Sequence, residues 1–97
     1  MNKYQAFIEA FLDFDVTTRS NEGFNEDKFQ KVCELLRGLK SQFQKNECVP
    51  LDVANVFVDL YSSIESSAYR HNEEMKQKIL YSADLLANIA RDVTSRS

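Results

Sequence analysis

Glycine, proline and cysteine are scarce in this chain, and their scarcity narrows the choice of fold. The 97 residues include two glycines, one proline, two cysteines and no tryptophan. All-β domains need many tight turns, which glycine and proline favour, so their scarcity favours long helices joined by few loops. A chain of this length fits a single domain, which we expect to span residues 1–97.

Long apolar runs are also missing, which bears on where the protein resides. No run approaches the roughly 20 residues that a membrane-spanning helix needs. Glu9 and Asp13 interrupt the one N-terminal stretch that resembles the apolar core of a secretion signal. A helix from Cys33 to Lys45 would already span roughly 18 Å, beyond the reach of about 7 Å for a disulfide to Cys48. We therefore expect a soluble cytoplasmic protein with two reduced thiols.

Residues suited to catalysis or metal binding are few. His71 is the only histidine, and it falls in a predicted turn beside Arg70, where we expect a solvated side chain. The two cysteines do not form the close pairs of a structural zinc site, and no Glu-x-x-His pair is present. Gly23 and Gly38 stand alone, so no glycine-rich phosphate loop exists. We therefore predict a protein that is not an enzyme and holds no metal or cofactor.

Four segments have apolar residues at helical spacing. They predict helices over Lys3–Phe14, Glu26–Lys45, Pro50–Tyr69 and Glu73–Val93, with a polar loop over Asp15–Gly23. Three asparagines are placed to cap helices: Asn2, Asn25 and Asn72. The short connections between the later helices require antiparallel neighbours. The predicted fold class is therefore all-α, an antiparallel up-and-down four-helix bundle.

The apolar positions of these helices define a predicted core. Phe24 and Phe29 are spaced as a hydrophobic staple at the start of the second helix. Gly38 lies inside that helix, where it either permits a close helix crossing or is merely tolerated. The predicted core residues are Tyr4, Phe7, Ile8, Phe11, Phe14, Phe29, Val32, Cys33, Leu36, Leu39, Phe43, Val53, Phe57, Leu60, Tyr61, Ile64, Ala68, Met75, Ile79, Ala83, Leu86, Ala90 and Val93.

The third predicted helix carries the most informative surface. It contains three acidic residues and no lysine or arginine, whereas most exposed helices mix both signs. The formal net charge of the chain is -3, which attracts a basic partner. Small serines allow a partner to approach closely, and a tyrosine at the edge can anchor it. The alternative is an ordinary solvated face. The predicted partner-binding residues are Asp52, Asn55, Asp59, Ser62, Glu65, Ser66 and Tyr69.

Nucleic-acid binding is disfavoured by the charge pattern. The second predicted helix has a local excess of bases, from Lys28 to Lys45, but no aromatic residues alternate with them on the exposed side. The net negative charge would also repel phosphates. We therefore expect a protein partner, and neither a nucleic acid nor a membrane.

Part of the chain resembles a known class of small acidic helical proteins. The resemblance rests on Val49-Pro50-Leu51, on the run from Phe57 to Ser63, on Asn72-Glu73-Glu74 and on Ala83-Asp84-Leu85-Leu86-Ala87. Over Val49–Arg91 the chain is similar to the immunity proteins that protect bacteria from bacteriocins or contact-dependent-inhibition toxins. This resemblance implies a cytoplasmic inhibitor that binds a cognate toxin, often a basic nuclease, and it assigns no site residues.

A second interpretation of the sequence remains open. The same composition and helical pattern suit a structural or regulatory helix-bundle protein with no toxin partner, including one that forms a homodimer. The two interpretations differ in what the exposed faces contact, which is a toxin in the first and another protein or a second copy in the second.

Overall fold

The regular structure of the chain is entirely helical over the part that is described. A computed structural model describes residues 2–95, and this range contains five helices and no strand. In chain order the helices are α1 (Lys3–Arg19), α2 (Glu26–Arg37), α3 (Lys40–Asn46), α4 (Leu51–Ala68) and α5 (Glu73–Val93). They pack as an all-α helical bundle, which confirms the predicted all-α class, although the described helices number five and not four.

The first helix is longer than predicted. Its expected end at Phe14 is wrong, because Asp15–Arg19 continues α1 instead of starting a loop. The hydroxyl groups of Thr17 and Thr18 donate to the carbonyl oxygens of Asp13 and Asp15, so these polar side chains bond within the helix. The polar composition of this segment predicted a loop, but its threonine hydroxyl groups are satisfied by carbonyl oxygens of the helix itself.

The second predicted helix is interrupted. The expected continuous helix over Glu26–Lys45 is wrong, because α2 ends at Arg37 and α3 begins at Lys40. The Leu39 amide donates to the carbonyl of Leu36, which tightens the chain at the break. No close helix crossing occurs at Gly38, where an added Cβ would meet only local carbonyl oxygens, the nearest being that of Leu35 at 3.4 Å.

The last two helices agree closely with the sequence. Pro50 precedes α4 as its N-cap, and Tyr69 follows the helix as its C-cap, so each predicted end is displaced by one residue. The predicted bounds of α5 are confirmed.

The helix-start signals in the sequence are confirmed. Each predicted capping asparagine accepts a hydrogen bond from the backbone amide three residues on. The rings of the predicted staple, Phe24 and Phe29, have centroids 5.4 Å apart. These local interactions set the first turns of α1, α2 and α5.

Ring contacts relate α1 to its neighbours. Tyr4 near the start of α1 stacks on Phe43 of α3, with centroids 5.9 Å apart. Phe14 further along α1 contacts Phe29 near the start of α2, at 5.7 Å. These contacts favour opposite directions for α1 and the α2–α3 pair. The complete up-and-down order remains a prediction.

One core lies between the helices. Most of the predicted core residues are buried, but Tyr61 is exposed, which makes its assignment wrong. Five others are only half-buried: Tyr4, Ile8, Phe57, Met75 and Ala90. Ile89 is an additional buried residue of α5. Within the described range, no helix combines the length and the apolar character needed to cross a membrane.

Candidate functional site

The candidate site is the outward face of α4. Helical periodicity directs Val53, Leu60 and Ile64 into the core, so residues on the opposite side of the helix face outward. Leu51 and Val58 are 85% and 79% exposed, although both are apolar. We define the α4 face as the exposed residues Leu51, Asp52, Asn55, Val58, Asp59, Ser62 and Ser66. It therefore combines five of the seven predicted site residues with two exposed aliphatic side chains.

The carboxylates of the α4 face form no ion pair among the described residues. Ion pairs in the described range number four, and none involves a residue of α4. Their members are Asp15 with Arg19, Asp13 with Lys28, Lys40 with Asp92, and Glu73 with Lys76. The exposed carboxyl groups of Asp52 and Asp59 are therefore available to pair with a basic surface.

Asp52 also has a structural role at the start of α4. Its Oδ1 accepts a hydrogen bond of 2.9 Å from the amide of Val53. The N-cap, Pro50, has no side-chain hydrogen bond to offer, so Asp52 is the acidic residue that faces the positive end of the helix dipole. A substitution of Asp52 would therefore affect the helix as well as binding, and Asp59 is the better residue for testing the site.

Two predicted site residues already have partners in the chain. Glu65 of α4 and Asp84 of α5 both interact with Tyr61. The negative charges of Asp84 and Glu65 raise the pKa of the Tyr61 phenol. The ring of Tyr69 lies beneath the ammonium group of Lys76, with Nζ 5.1 Å from the ring centroid. Glu65 therefore has a partner on its own helix, whereas Tyr69 has one on α5 and is still 66% exposed.

A shallow depression between α1 and the last turns of α4 brings bases to one end of the face. It has a volume of about 440 Å³ and is lined by Arg19, Asp59, Ser62, Ser63, Ser66, Ser67 and Arg70. The sequence pattern of α4 shows no base, because Arg19 comes from α1 and Arg70 follows the helix. The face is therefore acidic along its first three turns and bordered by guanidinium groups at its end.

A buried carboxylate holds this end together. Asp15 is only 6% exposed, and its Oδ2 lies 2.6 Å from Nη2 of Arg19. Its Oδ1 accepts a hydrogen bond of 2.9 Å from the hydroxyl of Ser63, which in turn accepts from Arg19 at 2.8 Å. Sequence reasoning missed this cluster, because it placed Asp15 in a loop. The spacing of Asp15 and Arg19, four residues apart in a helix, was the available signal.

His71 joins the turn before α5 to the end of α1. Its Nε2–H donates a hydrogen bond of 2.6 Å to the carbonyl of Thr18, and the side chain is half-buried. The expectation of a solvated turn histidine is therefore wrong. Since a carbonyl only accepts, this contact requires a proton on Nε2. The residue has a structural role in holding two connections together.

The two thiols differ in environment. Cys33 is buried, and desolvation raises the pKa of its thiol, whereas Cys48 is exposed, and both are free. Among residues 2–95, no three His, Cys, Asp or Glu side chains are grouped so that they could hold a metal ion. The α4 face and its bordering depression are therefore the features on which a function is proposed.

The comparisons with known proteins add no relative. No protein-family model, no curated protein and no solved structure matches this chain.

Proposed function

We propose that this chain is a cytoplasmic immunity protein that binds and neutralises a bacterial toxin domain, a basic nuclease, through the α4 face. The observation that carries the proposal is the exposure of Leu51 and Val58 beside Asp52 and Asp59, which form no ion pair within residues 2–95. An exposed surface of this kind, with apolar contacts next to charges of one sign, suits a protein partner of opposite charge.

The two kinds of side chain contribute differently to binding. Full burial of an aliphatic side chain such as Leu51 or Val58 stabilises a complex by about 1.5–3 kcal/mol. Carboxylates add less net affinity but accelerate the encounter with a basic surface, and salt weakens this effect. Occupying a nuclease surface that must bind phosphates would block its substrate without any chemistry by the inhibitor.

The test uses the host gene next to the one that encodes this chain. Its product is expressed in sensitive cells with and without this protein, and binding kinetics are measured with purified components. We expect Asp59→Lys to slow association by about tenfold at low salt and to weaken protection. Glu34→Lys is the matched control. It makes the same charge change at an exposed position of α2 and should behave as wild type.

Two outcomes would contradict the proposal at different levels. If Asp59→Lys associates and protects as well as wild type, the α4 face is not the binding site. If the neighbouring product neither binds this chain nor harms unprotected cells, the immunity function itself is wrong.

A homodimeric structural or regulatory protein is the second candidate. Leu12 and Val16 are exposed and lie four residues apart on α1, so they form an apolar pair on one side of that helix. In a symmetric dimer this pair would contact its own copy. Sedimentation equilibrium should then show a dimer that Leu12→Glu dissociates. A monomer at all concentrations would exclude this candidate.

A further inference from the structure

The depression between α1 and α4 has opposite charges at its two ends. Asp59 lies at one end on the third turn of α4, Arg70 lies at the other end directly after the helix, and Arg19 reaches the depression between them at Ser63. Asp59 and Ser66 are separated by seven residues of α4, which is roughly 10 Å along the helix. This distance is about one Debye length at physiological salt, so the two ends can present different signs to a partner.

Arg19 retains hydrogen-bonding capacity despite its contacts with Asp15 and Ser63. Both of these bonds come from Nη2. A guanidinium group has five N–H donors, of which Nη2 carries two, so the donors on Nε and Nη1 stay available. The side chain of Arg19 is 51% exposed, which leaves these donors accessible from solvent.

Arg70 is a second charged residue of the depression. Its side chain is exposed and, within the described part of the chain, has no ion-pair partner. Its backbone amide donates to Ser67, which places the residue directly after the last turn of α4. The carboxyl end of α4 is the negative end of the helix dipole and does not itself attract an anion. An anionic group bound there would therefore depend on guanidinium groups for its stabilisation.

We infer that the Arg19–Arg70 end of the depression receives one carboxylate side chain of the partner protein, while Asp52 and Asp59 face basic side chains of the same partner. Two guanidinium groups can bind one carboxylate through charge-assisted hydrogen bonds. The short side chain of Ser66 leaves room for it to approach. Opposite charges at the two ends then hold the partner in one direction along α4. This inference rests on the α4 face of the proposed function, but not on the partner being a nuclease.

The test measures carboxylate binding by the whole chain without the partner. Nitrogen-labelled protein is titrated, under NMR observation, with the blocked peptide acetyl-Ala-Ala-Glu-Ala-Ala-amide. We expect saturable shifts of the backbone amides of Ser66, Ser67 and Arg70. Arg70→Ala should weaken this binding by about fivefold or more, because it removes a charge-assisted contact.

Two controls define the specificity of the titration. The same peptide with glutamine in place of glutamate should cause no saturable shift. Arg91→Ala, at an exposed arginine of α5 that bonds to Asn88, should leave the binding of the glutamate peptide unchanged. Equal shifts with the glutamine peptide, or an unchanged titration of Arg70→Ala, would overturn the inference.

A separate titration with inorganic phosphate distinguishes the source of the anion. Saturable binding of phosphate without binding of the glutamate peptide would overturn the inference in favour of a phosphate site. Failure of the peptide titration would overturn the inference. If Asp59→Lys also lost protection, the proposed function would still stand. A successful titration with no protective effect of the protein would contradict only the immunity function.

Discussion

Asp15 ties α1 to α4 at the end of the candidate site, and its removal offers the sharpest test of that arrangement. The side chain is 8% exposed and accepts hydrogen bonds from Arg19 and Ser63. Asp13, two residues earlier in the same helix, pairs with Lys28 at 3.3 Å but is 61% exposed. Replacing each aspartate by alanine therefore removes the same group from the same helix in two different environments.

The expected cost follows from burial. Hydrogen bonds to a charged group contribute about 1.5–3 kcal/mol, and the half-exposed Arg19 regains water when its acceptor is lost, so Asp15→Ala should lower the free energy of unfolding by about 2 kcal/mol. An exposed ion pair contributes little, so Asp13→Ala should lower it by less than about 0.5 kcal/mol. The higher helix propensity of alanine affects both variants alike and cancels in the comparison.

Urea unfolding followed by circular dichroism measures both variants, and a thermal midpoint lower by roughly 10 °C for Asp15→Ala is expected in parallel. A double-mutant cycle with Ser63→Ala should give a coupling energy of about 1 kcal/mol between the two positions. Equal stabilities of the Asp15→Ala and Asp13→Ala variants, or a coupling energy near zero, would refute the role of Asp15 as the link between α1 and α4.

Two further predictions concern a pair of glycines and a tyrosine. Gly23 has φ of 68° and an added Cβ would lie 2.8 Å from a methionine sulfur, so Gly23→Ala should destabilise the chain by about 1–3 kcal/mol. Gly38 has φ of -67°, and an added Cβ there would make only ordinary contacts, so Gly38→Ala should stabilise the chain by about 0.4–1 kcal/mol. Urea unfolding measures both variants, and a Gly23→Ala variant more stable than Gly38→Ala would contradict both statements. For Tyr61, nearby negative charge disfavours the phenolate and raises the pKa, so Asp84→Asn should lower that pKa toward its ordinary value. NMR titration of carbon-labelled tyrosine measures this shift, and an unchanged pKa would show that Asp84 does not act on the phenol.

The sequence alone determined the features that depend on residues close together in the chain. Helical periodicity predicted the all-α class, most of the core and the outward direction of Asp52, Asn55 and Asp59. The capping asparagines and the Phe24–Phe29 staple operate over three to five residues, so they were readable before any tertiary contact was known. The predictions were wrong where a local signal was ambiguous. Polar side chains in the last turns of α1 resemble those of a loop, and α2 ends just before Gly38 although the residues on both sides of it favour a helix.

The tertiary structure decided the charge and availability of the candidate site. Arg19 reaches Ser63 across 44 residues of sequence, and the ammonium group of Lys76 on another helix lies over one face of the Tyr69 ring. Neither contact has a periodic signature, because each depends on which helices pack together and on how their side chains extend. The sequence therefore identified an acidic, base-free helix, whereas packing placed guanidinium groups at the end of its exposed face.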